Sequence, residues 1–219
     1  MSRRERTERQ ILEAFEAQLK DGGMASLGIN KVAERAGVSK ELIYRYFEGM
    51  PGLMLTWMQE QDFWTGQGGM LLDEKAARKP PSELVLTMLR AQIEALASNE
   101  ALREVRRWEL VERNDVSARL AERREKLARK FIDRIEGVSP DMDVPAVVGV
   151  MLAGVIYLSL RAKTESQFLG LSLRTEEGWD RIDAALEHIA GSFPEAMRTE
   201  PLNALETAAE GQAQDKSAP

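Results

Sequence analysis

The sequence of 219 residues contains no cysteine and only one histidine, His188. Without cysteine the chain can form no disulfide, no thiolate metal site and no cysteine nucleophile. His188 has no second histidine with which to share a metal ion, so we expect it to be structural and predict neither a metal site nor a cofactor. No nucleophile and base stand at a catalytic spacing, which disfavours an enzyme.

Long apolar segments are also lacking. The longest run without a charge lies between Asp143 and Arg161, and it contains Pro145, Gly149 and Gly154. A membrane-spanning helix needs about 20 predominantly apolar residues, so we interpret this run as a buried helix. The charged N-terminal residues are not followed by an apolar signal segment. We therefore expect a cytoplasmic protein without a membrane partner.

The net charge of −6 at first disfavours a nucleic-acid partner. The charges are unevenly distributed, however, because residues 1–47 contain nine Lys and Arg against seven Asp and Glu. The rest of the chain then carries a net charge of −8. A basic N-terminal module on an acidic body fits a protein that presents its N-terminus to DNA.

The spacing of apolar residues predicts an all-α fold. They recur every three or four residues along nearly the whole chain, and alternating β-branched runs are missing. Ser39 is a favourable N-cap, and Gly37 ends the helix before it. The first predicted helix ends at Gly22–Gly23, and the others cover about 29–36, 40–47, a stretch from Pro51, 82–97, 100–112, 115–136, 144–163 and 176–193.

The string INKVAERAGVSKELIYRYF, from Ile29 to Phe47, is the most informative part of the sequence. Two short helices are joined by a tight turn that contains glycine, and the small Ala33 lies where they touch, which predicts a helix-turn-helix. At 100° per residue, the second helix packs through Ile43, Tyr46 and Phe47. We expect its other face to contact DNA through Lys40, Glu41, Leu42, Tyr44 and Arg45.

This string, with about twenty residues on either side, resembles the TetR family of bacterial regulators. The AGVS turn and the aromatic ending of Tyr44, Tyr46 and Phe47 carry the resemblance, which covers about residues 7–60. It implies a three-helix DNA-binding head, a helical body whose last two helices form a dimer, and a body cavity for an inducing ligand. We accordingly predict a head at 1–48, a ligand-binding and dimerisation domain at 49–198, and a disordered tail at 199–219.

Three positions depart from the family pattern. Gly28 stands where many relatives have a Ser or Thr that caps the second helix, so the cap is weaker or comes from Ser26. Glu41 and Leu42 replace the usual Gly-Thr pair. Met50 replaces a phosphate-contacting lysine, which removes one ionic contact with the DNA backbone.

The resemblance gives the predicted helix-turn-helix side chains distinct roles. Arg45 can donate two hydrogen bonds to guanine, Leu42 can contact a thymine methyl group, and Glu41 can accept from cytosine. An alternative for Glu41 and Arg45 is an i,i+4 ion pair on a solvated face. We expect phosphate contacts from Tyr44 and Tyr46 and from the lysines, with a basic arm of Arg3, Arg4 and Arg6. The predicted DNA-binding set is Lys31, Ser39, Lys40, Glu41, Leu42, Tyr44, Arg45 and Tyr46.

The body offers weaker signals for ligand binding and dimerisation. The predicted effector contacts are aromatic and methionine side chains at helical spacing, and the alternative for each of them is simply the core. Glu109 and Glu112 are candidate polar anchors, with solvated surface as the alternative. The effector-binding set is Trp57, Trp64, Met88, Trp108 and Met151. A four-helix dimer interface is predicted from Val147–Leu160, with its Gly149, Ala153 and Gly154, and from Trp179, Ile182, Leu186 and Ile189.

These observations predict a transcriptional regulator. It would act as a homodimeric repressor on a pseudo-palindromic operator in double-stranded DNA, released by an apolar or aromatic small molecule. The alternatives are an all-α enzyme and a protein-interaction module with a vestigial helix-turn-helix. Neither alternative accounts for the recognition-helix string.

Overall fold

The computed structural model describes residues 2–61, 79–136 and 138–193, and within these ranges the all-α prediction is confirmed. Trp64 and the tail predicted at 199–219 lie outside the described residues. The helices are α1 (Arg3–Gly22), α2 (Ile29–Ala36), α3 (Lys40–Phe47), α4 (Met50–Gln61), α5 (Pro81–Ser98), α6 (Glu100–Val111), α7 (Asp115–Ile132), α8 (Val144–Arg161) and α9 (Glu176–Gly191).

The N-terminal helices begin and end where local signals place them. Ser2 and Glu5 form a reciprocal capping box at the start of α1, in which the Ser2 hydroxyl accepts from the Glu5 amide and the Glu5 carboxylate accepts from the Ser2 amide. Gly37 ends α2 in the left-handed conformation, with φ +62°. The predicted bounds of α2 and α3 are those of the structure, but Ser39 occupies the N-cap position of α3 without a side-chain cap hydrogen bond.

Of the two alternatives for the cap of α2, the structure shows the weaker cap at Gly28 and not a cap from Ser26. Gly28 occupies the N-cap position without a side-chain hydrogen bond, and Ser26 does not replace it. The Ser26 hydroxyl instead donates toward the carbonyl oxygens of Gln18 and Gly23, because it lies in a short 3-10 turn (Met24–Ser26) that folds back on α1.

In the described part of the body, the structure shows a hairpin that the sequence did not predict, formed by β1 (Gln167–Phe168) and β2 (Leu171–Ser172) between α8 and α9. A Cβ atom on Gly178 would lie 1.7 Å from the Ser172 carbonyl oxygen, so this strand packs directly on the first turn of α9. The hairpin thereby fixes how α9 enters the bundle.

Two hydrophobic clusters form the interior of the described residues. The first joins α1–α4 to residues of the later helices: Leu96, Ala101, Leu102, Val105, Leu120 and Leu160. The second lies deeper in the body, mainly between α5, α8 and α9, and includes Met88, Met151, Ile182 and Leu186. The N-terminal helices therefore do not close a core of their own, because body helices complete it.

Helix α8 is apolar all round but only partly covered. Its 18 residues have a mean hydropathy of 1.9, and by length and composition they would suffice to cross a membrane, yet only 33% of them are buried. The prediction of a buried helix therefore holds for one face only. Val150 and Tyr157 lie on the exposed side, where 73% and 48% of their surfaces remain accessible.

Candidate DNA-binding site and ligand cavities

Helix α3 presents two distinct faces. Ile43 and Phe47 are buried in the first cluster, as the helical spacing predicted. Leu42 and Tyr46 are half-buried. The remaining side chains that we predicted to contact DNA from this helix are exposed: Lys40, Glu41, Tyr44 and Arg45.

Two guanidinium groups lie over the ring of Tyr46. Arg45, on the same helix, is 5.3 Å from the ring centroid, and Arg4, in the first turn of α1, is 5.2 Å from it. Arg4 also forms an ion pair with Glu8, with 2.7 Å between Nε and Oε1, and this hydrogen bond raises the Arg4 pKa. The start of α1 therefore places a guanidinium group beside the exposed face of α3.

The basic arm predicted from Arg3, Arg4 and Arg6 takes a different form. All three residues lie within α1, because the capping box at Ser2 extends the helix to the N-terminus. The sequence pattern Ser-x-x-Glu carried this signal. The arginines are consequently held on a rigid helix and not on an extended arm.

Glu41 is engaged at the start of α3. Its interactions with its own backbone amide and with the Ser39 side chain lower its pKa. Among the residues that the structure describes, no ion pair joins Glu41 to Arg45. Arg45 is thus available to a base, whereas Glu41 would have to leave the helix terminus to read one.

Side-chain contacts fasten the helix-turn-helix to α1. The Gln10 amide donates to the carbonyl oxygen of Ala36, at the end of α2, over 2.7 Å. Arg35 of α2 forms an ion pair with Asp21 of α1, with 2.6 Å between Nη2 and Oδ2. Lys31 is exposed on α2 and remains a candidate phosphate contact.

The junction between α3 and α4 is very tight. A Cβ atom on Gly52 would lie 1.7 Å from the carbonyl oxygen of Phe47, so only glycine allows the two helices to meet in this way. Met50, the residue that replaces the usual lysine, is half-buried and packs against the first cluster. Its side chain therefore has a packing role at this junction.

Trp57 belongs to the core. It is 1% exposed, its ring centroid lies 5.5 Å from that of Phe15, and its indole nitrogen donates to Glu16 Oε2 over 3.2 Å. These contacts tie α4 to α1. All of them are contacts within the core, which was the alternative to effector binding for this residue.

Trp108 lies at a cavity of about 420 Å³ between the start of α4, the end of α6 and the start of α7. Met88 and Met151 belong instead to the second cluster, in a different part of the body. The structure therefore separates the predicted effector contacts. The cavity at Trp108 is lined by Met50, Pro51, Met54, Trp108, Asn114, Asp115 and Val116.

Glu109, one of the two candidate polar anchors, is held in a buried ion cluster. Its side chain is 5% exposed, with Arg124 Nη1 at 2.7 Å from Oε1 and Arg106 Nη1 at 3.6 Å from Oε2. The cluster links α6 to α7. Glu112, by contrast, is exposed just after the end of α6.

An apolar groove of about 720 Å³ runs between α8 and α9. Gly154 lies in it, and a Cβ atom there would meet nothing within 4 Å. Ile182, Leu186 and Ile189, which we predicted at a dimer interface, also line the groove, as do several residues of the predicted segment Val147–Leu160. The groove is a large apolar surface that the described part of one chain leaves uncovered.

Residues 11–56 match the sequence model of the family described as bacterial regulatory proteins, tetR family. An HTH-type transcriptional regulator of Mycobacterium tuberculosis is 26% identical over 131 residues, or 60% of this chain. The match spans 62% of that relative's length.

Solved structures of TetR-family regulators share the fold. A regulator from Marinobacter aquaeolei has a TM-score of 0.60 at 20% identity, over 89% of this chain and 100% of that one. One from Haloarcula marismortui has a TM-score of 0.63 at 17% identity, over 86% and 98%. FadR from Bacillus subtilis, solved with stearoyl-CoA, has a TM-score of 0.61 at 16% identity, over 84% and 97%.

The fold and the exposed face of α3 define a helix-turn-helix protein with a larger helical body. Its N-terminal residues match the tetR family of bacterial regulatory proteins, and its fold is that of solved TetR-family regulators.

Proposed function

We propose that the protein is a cytoplasmic, homodimeric transcriptional repressor that binds double-stranded DNA through α3 and is released by a small molecule. The observation that carries the proposal is the exposed face of α3, where Arg45 stands free of Glu41 and Arg4 adds a second cation beside Tyr46. Phosphates attract such cations regardless of sequence, and a guanidinium can also read guanine.

A two-fold dimer supports this function because one short helix-turn-helix makes few contacts with DNA. Two heads related by symmetry read two half-sites of a pseudo-palindromic operator. The apolar groove between α8 and α9 is a suitable dimer interface, since it is large and lined almost entirely by aliphatic residues. The exposed Val150 and Ile189 would be covered there.

The cavity at Trp108 is our candidate effector site. Its volume of about 420 Å³ falls within the ~300–1,000 Å³ of small-molecule sites. Met50 and Met54 of its wall belong to α4, which follows α3 through the tight Gly52 junction. An apolar or aromatic molecule that binds there can change DNA affinity only by favouring one orientation of the head. FadR, which has this fold, was solved with a small molecule bound.

The decisive experiment is DNA binding by the purified protein at several salt concentrations. Genomic fragments retained by the protein would be footprinted, and the affinity for the site so found would be measured between about 50 and 200 mM salt. We expect the affinity to fall at least a hundredfold over that range, because binding releases counterions from several phosphates. Failure to retain any fragment would favour the enzyme or the protein-interaction module.

A further inference from the structure

A separate small cavity of about 260 Å³ lies where α5, α6, α8 and α9 meet. Its walls are largely apolar, from residues such as Ile93, Leu96 and Leu173, with the ring of Trp179 on one side. Three polar side chains also line it, those of Arg103, Ser159 and Lys163. None of these residues belongs to the cavity at Trp108.

Two of these polar groups are buried without a hydrogen-bond partner in the described part of the chain. Ser159 is 6% exposed, and its Oγ has no partner. Arg103 donates through Nη1 to the carbonyl oxygens of Leu96 and Ala97, but its Nε is buried and unpartnered. Leaving such groups unsatisfied costs free energy, so a molecule that satisfies them gains affinity.

The polar groups of the cavity determine which ligand fits. Arg103 Nε and the Lys163 ammonium can only donate, and the Ser159 hydroxyl can donate as well. The complement is an acceptor that bears negative charge, joined to a small apolar body. The volume lies below the ~300–1,000 Å³ of drug-sized sites, so the body must be small.

We propose that this cavity binds a small monocarboxylate, with the carboxylate at Arg103, Ser159 and Lys163 and an aliphatic or aromatic body against Trp179. Two carboxylates oppose the ligand, because Lys163 Nζ is bound to Glu100 at 2.8 Å and to Glu104 at 3.1 Å. The ligand therefore competes with α6 for Lys163.

This competition connects the cavity to the head. Glu104 lies beside the end of α1, where a Cβ atom on Gly23 would be 3.5 Å from Oε2. Lys163, in the turn just after α8, holds Glu104 from the other side. When the ligand draws Lys163 away, it loosens the tie between α8 and the segment of α6 that contacts α1. The regulatory part of this inference rests on the proposed function, but the binding part does not.

The first test is calorimetric titration of the full chain, without DNA, with benzoate and hexanoate and with their uncharged amides. We expect at least one carboxylate to bind at least tenfold more tightly than its amide. Ser159→Ala should weaken that binding about fivefold, as the loss of one hydrogen bond would. Lys163→Gln should weaken carboxylate binding more, and Ala162→Leu should abolish binding because the larger side chain fills the cavity.

Matched controls are Ser98→Ala and Lys79→Gln. Ser98 is an exposed serine whose hydroxyl bonds backbone carbonyls, and Lys79 is an exposed lysine paired with Glu83. Both should bind the carboxylates as the wild type does. The site would be contradicted if acid and amide bind equally, if the control and cavity variants have equal effects, or if nothing binds. The cavity would then hold water only.

The second test separates the site from the switch. Operator affinity would be measured with and without benzoate or hexanoate, in the wild type and in Ser159→Ala. A carboxylate that binds but leaves operator affinity unchanged overturns the coupling through Lys163 and leaves the site intact. A protein that binds carboxylate but no DNA contradicts the proposed function alone.

Discussion

At the scale of single residues, we propose that sequence recognition depends on Arg45. Arg45→Ala should weaken binding to the cognate site by ~1–3 kcal/mol and relax the preference at one position in each half-site, because a bidentate guanine contact is lost. Lys31→Ala should weaken specific and random DNA alike and reduce the salt dependence. Anisotropy titrations on a set of singly substituted operators measure both effects. If Arg45→Ala loses the same affinity on every DNA sequence, Arg45 contacts a phosphate and not a base.

Glu109 should matter for stability. Glu109→Gln removes the charge between Arg106 and Arg124 in a site where Glu109 is nearly inaccessible. We expect the free energy of unfolding to fall by about 3 kcal/mol in urea melts, because a buried ion cluster is left unbalanced. Glu112→Gln, on the exposed residue three positions later, should change it by less than about 0.5 kcal/mol. Similar losses in the two variants would contradict the buried role.

The sequence could not have predicted which side chains contact Glu109 and Trp57, because both partners lie on other helices. Glu109 is paired with Arg124 from the next helix, and the Trp57 indole meets Glu16, 41 residues earlier in the chain. Helical periodicity shows which face of one helix is apolar, but not which distant side chain satisfies a polar atom there. Arg45 was easier to place, because the spacing within α3 alone puts it opposite Ile43 and Phe47.

At the scale of elements, the contact between α3 and α4 tolerates no side chain at position 52. Gly52→Ala should lower the free energy of unfolding by ~1–3 kcal/mol, because the added methyl group overlaps the Phe47 carbonyl and forces the helices apart. Gly191→Ala, where a Cβ atom meets nothing within 4 Å, is the matched control and should be neutral or slightly stabilising. Thermal melts of both variants and the wild type would measure these differences in stability. If Gly52→Ala leaves the free energy of unfolding unchanged, the junction can relax without a loss of stability.

The docking of α9 on α5 should depend on pH. Arg90 donates to both oxygens of Asp183, at 2.7 and 2.6 Å, and this hydrogen bonding holds the Asp183 pKa below its ordinary value of 3.8. A lowered pKa in the folded state stabilises the protein above the unfolded-state pKa, and this contribution disappears as the pH falls through the folded-state value. The pair is partly exposed, so we expect a contribution of only ~0.5–1 kcal/mol.

Unfolding in urea between pH 6 and pH 3 would measure this contribution. Asp183→Asn should be less stable than the wild type at pH 6, and the difference should shrink toward pH 3. Asp180→Asn, one turn earlier and in no ion pair among the described residues, should follow the wild type throughout. If the difference in free energy of unfolding between wild type and Asp183→Asn stays constant with pH, the ionised pair is not its source.

Helix positions were largely predictable, because each depends on short-range signals. The left-handed residue at Gly37 acts within one turn of the helix that it ends, so the predicted bounds of α2 and α3 agree with the structure. The hairpin between α8 and α9 was missed because two-residue strands carry no alternation. The predicted helix at 115–136 ends earlier, at Ile132.

At the scale of the whole molecule, the groove between α8 and α9 should hold the dimer together. Gly154→Trp should give monomers in sedimentation and little operator binding, because the indole would fill the space in which the partner packs. Ala121→Trp, on an exposed position of α7, is the control and should remain dimeric. A Gly154→Trp dimer would move the interface elsewhere, for example to the second apolar groove of about 590 Å³ beside Tyr157.

The first hydrophobic cluster has a consequence for building hybrid regulators. Engineers exchange operator specificity by grafting one regulator's head onto another's body, and a cut after residue 48 would be the obvious seam. In that hybrid, Leu12, Phe15 and Leu19 of α1 would lose the body residues that complete their cluster. Leu102 and Val105 of α6 are among those body residues. A working hybrid must therefore transplant the matching surface of α6 together with the head, or exchange only the exposed side chains of α3.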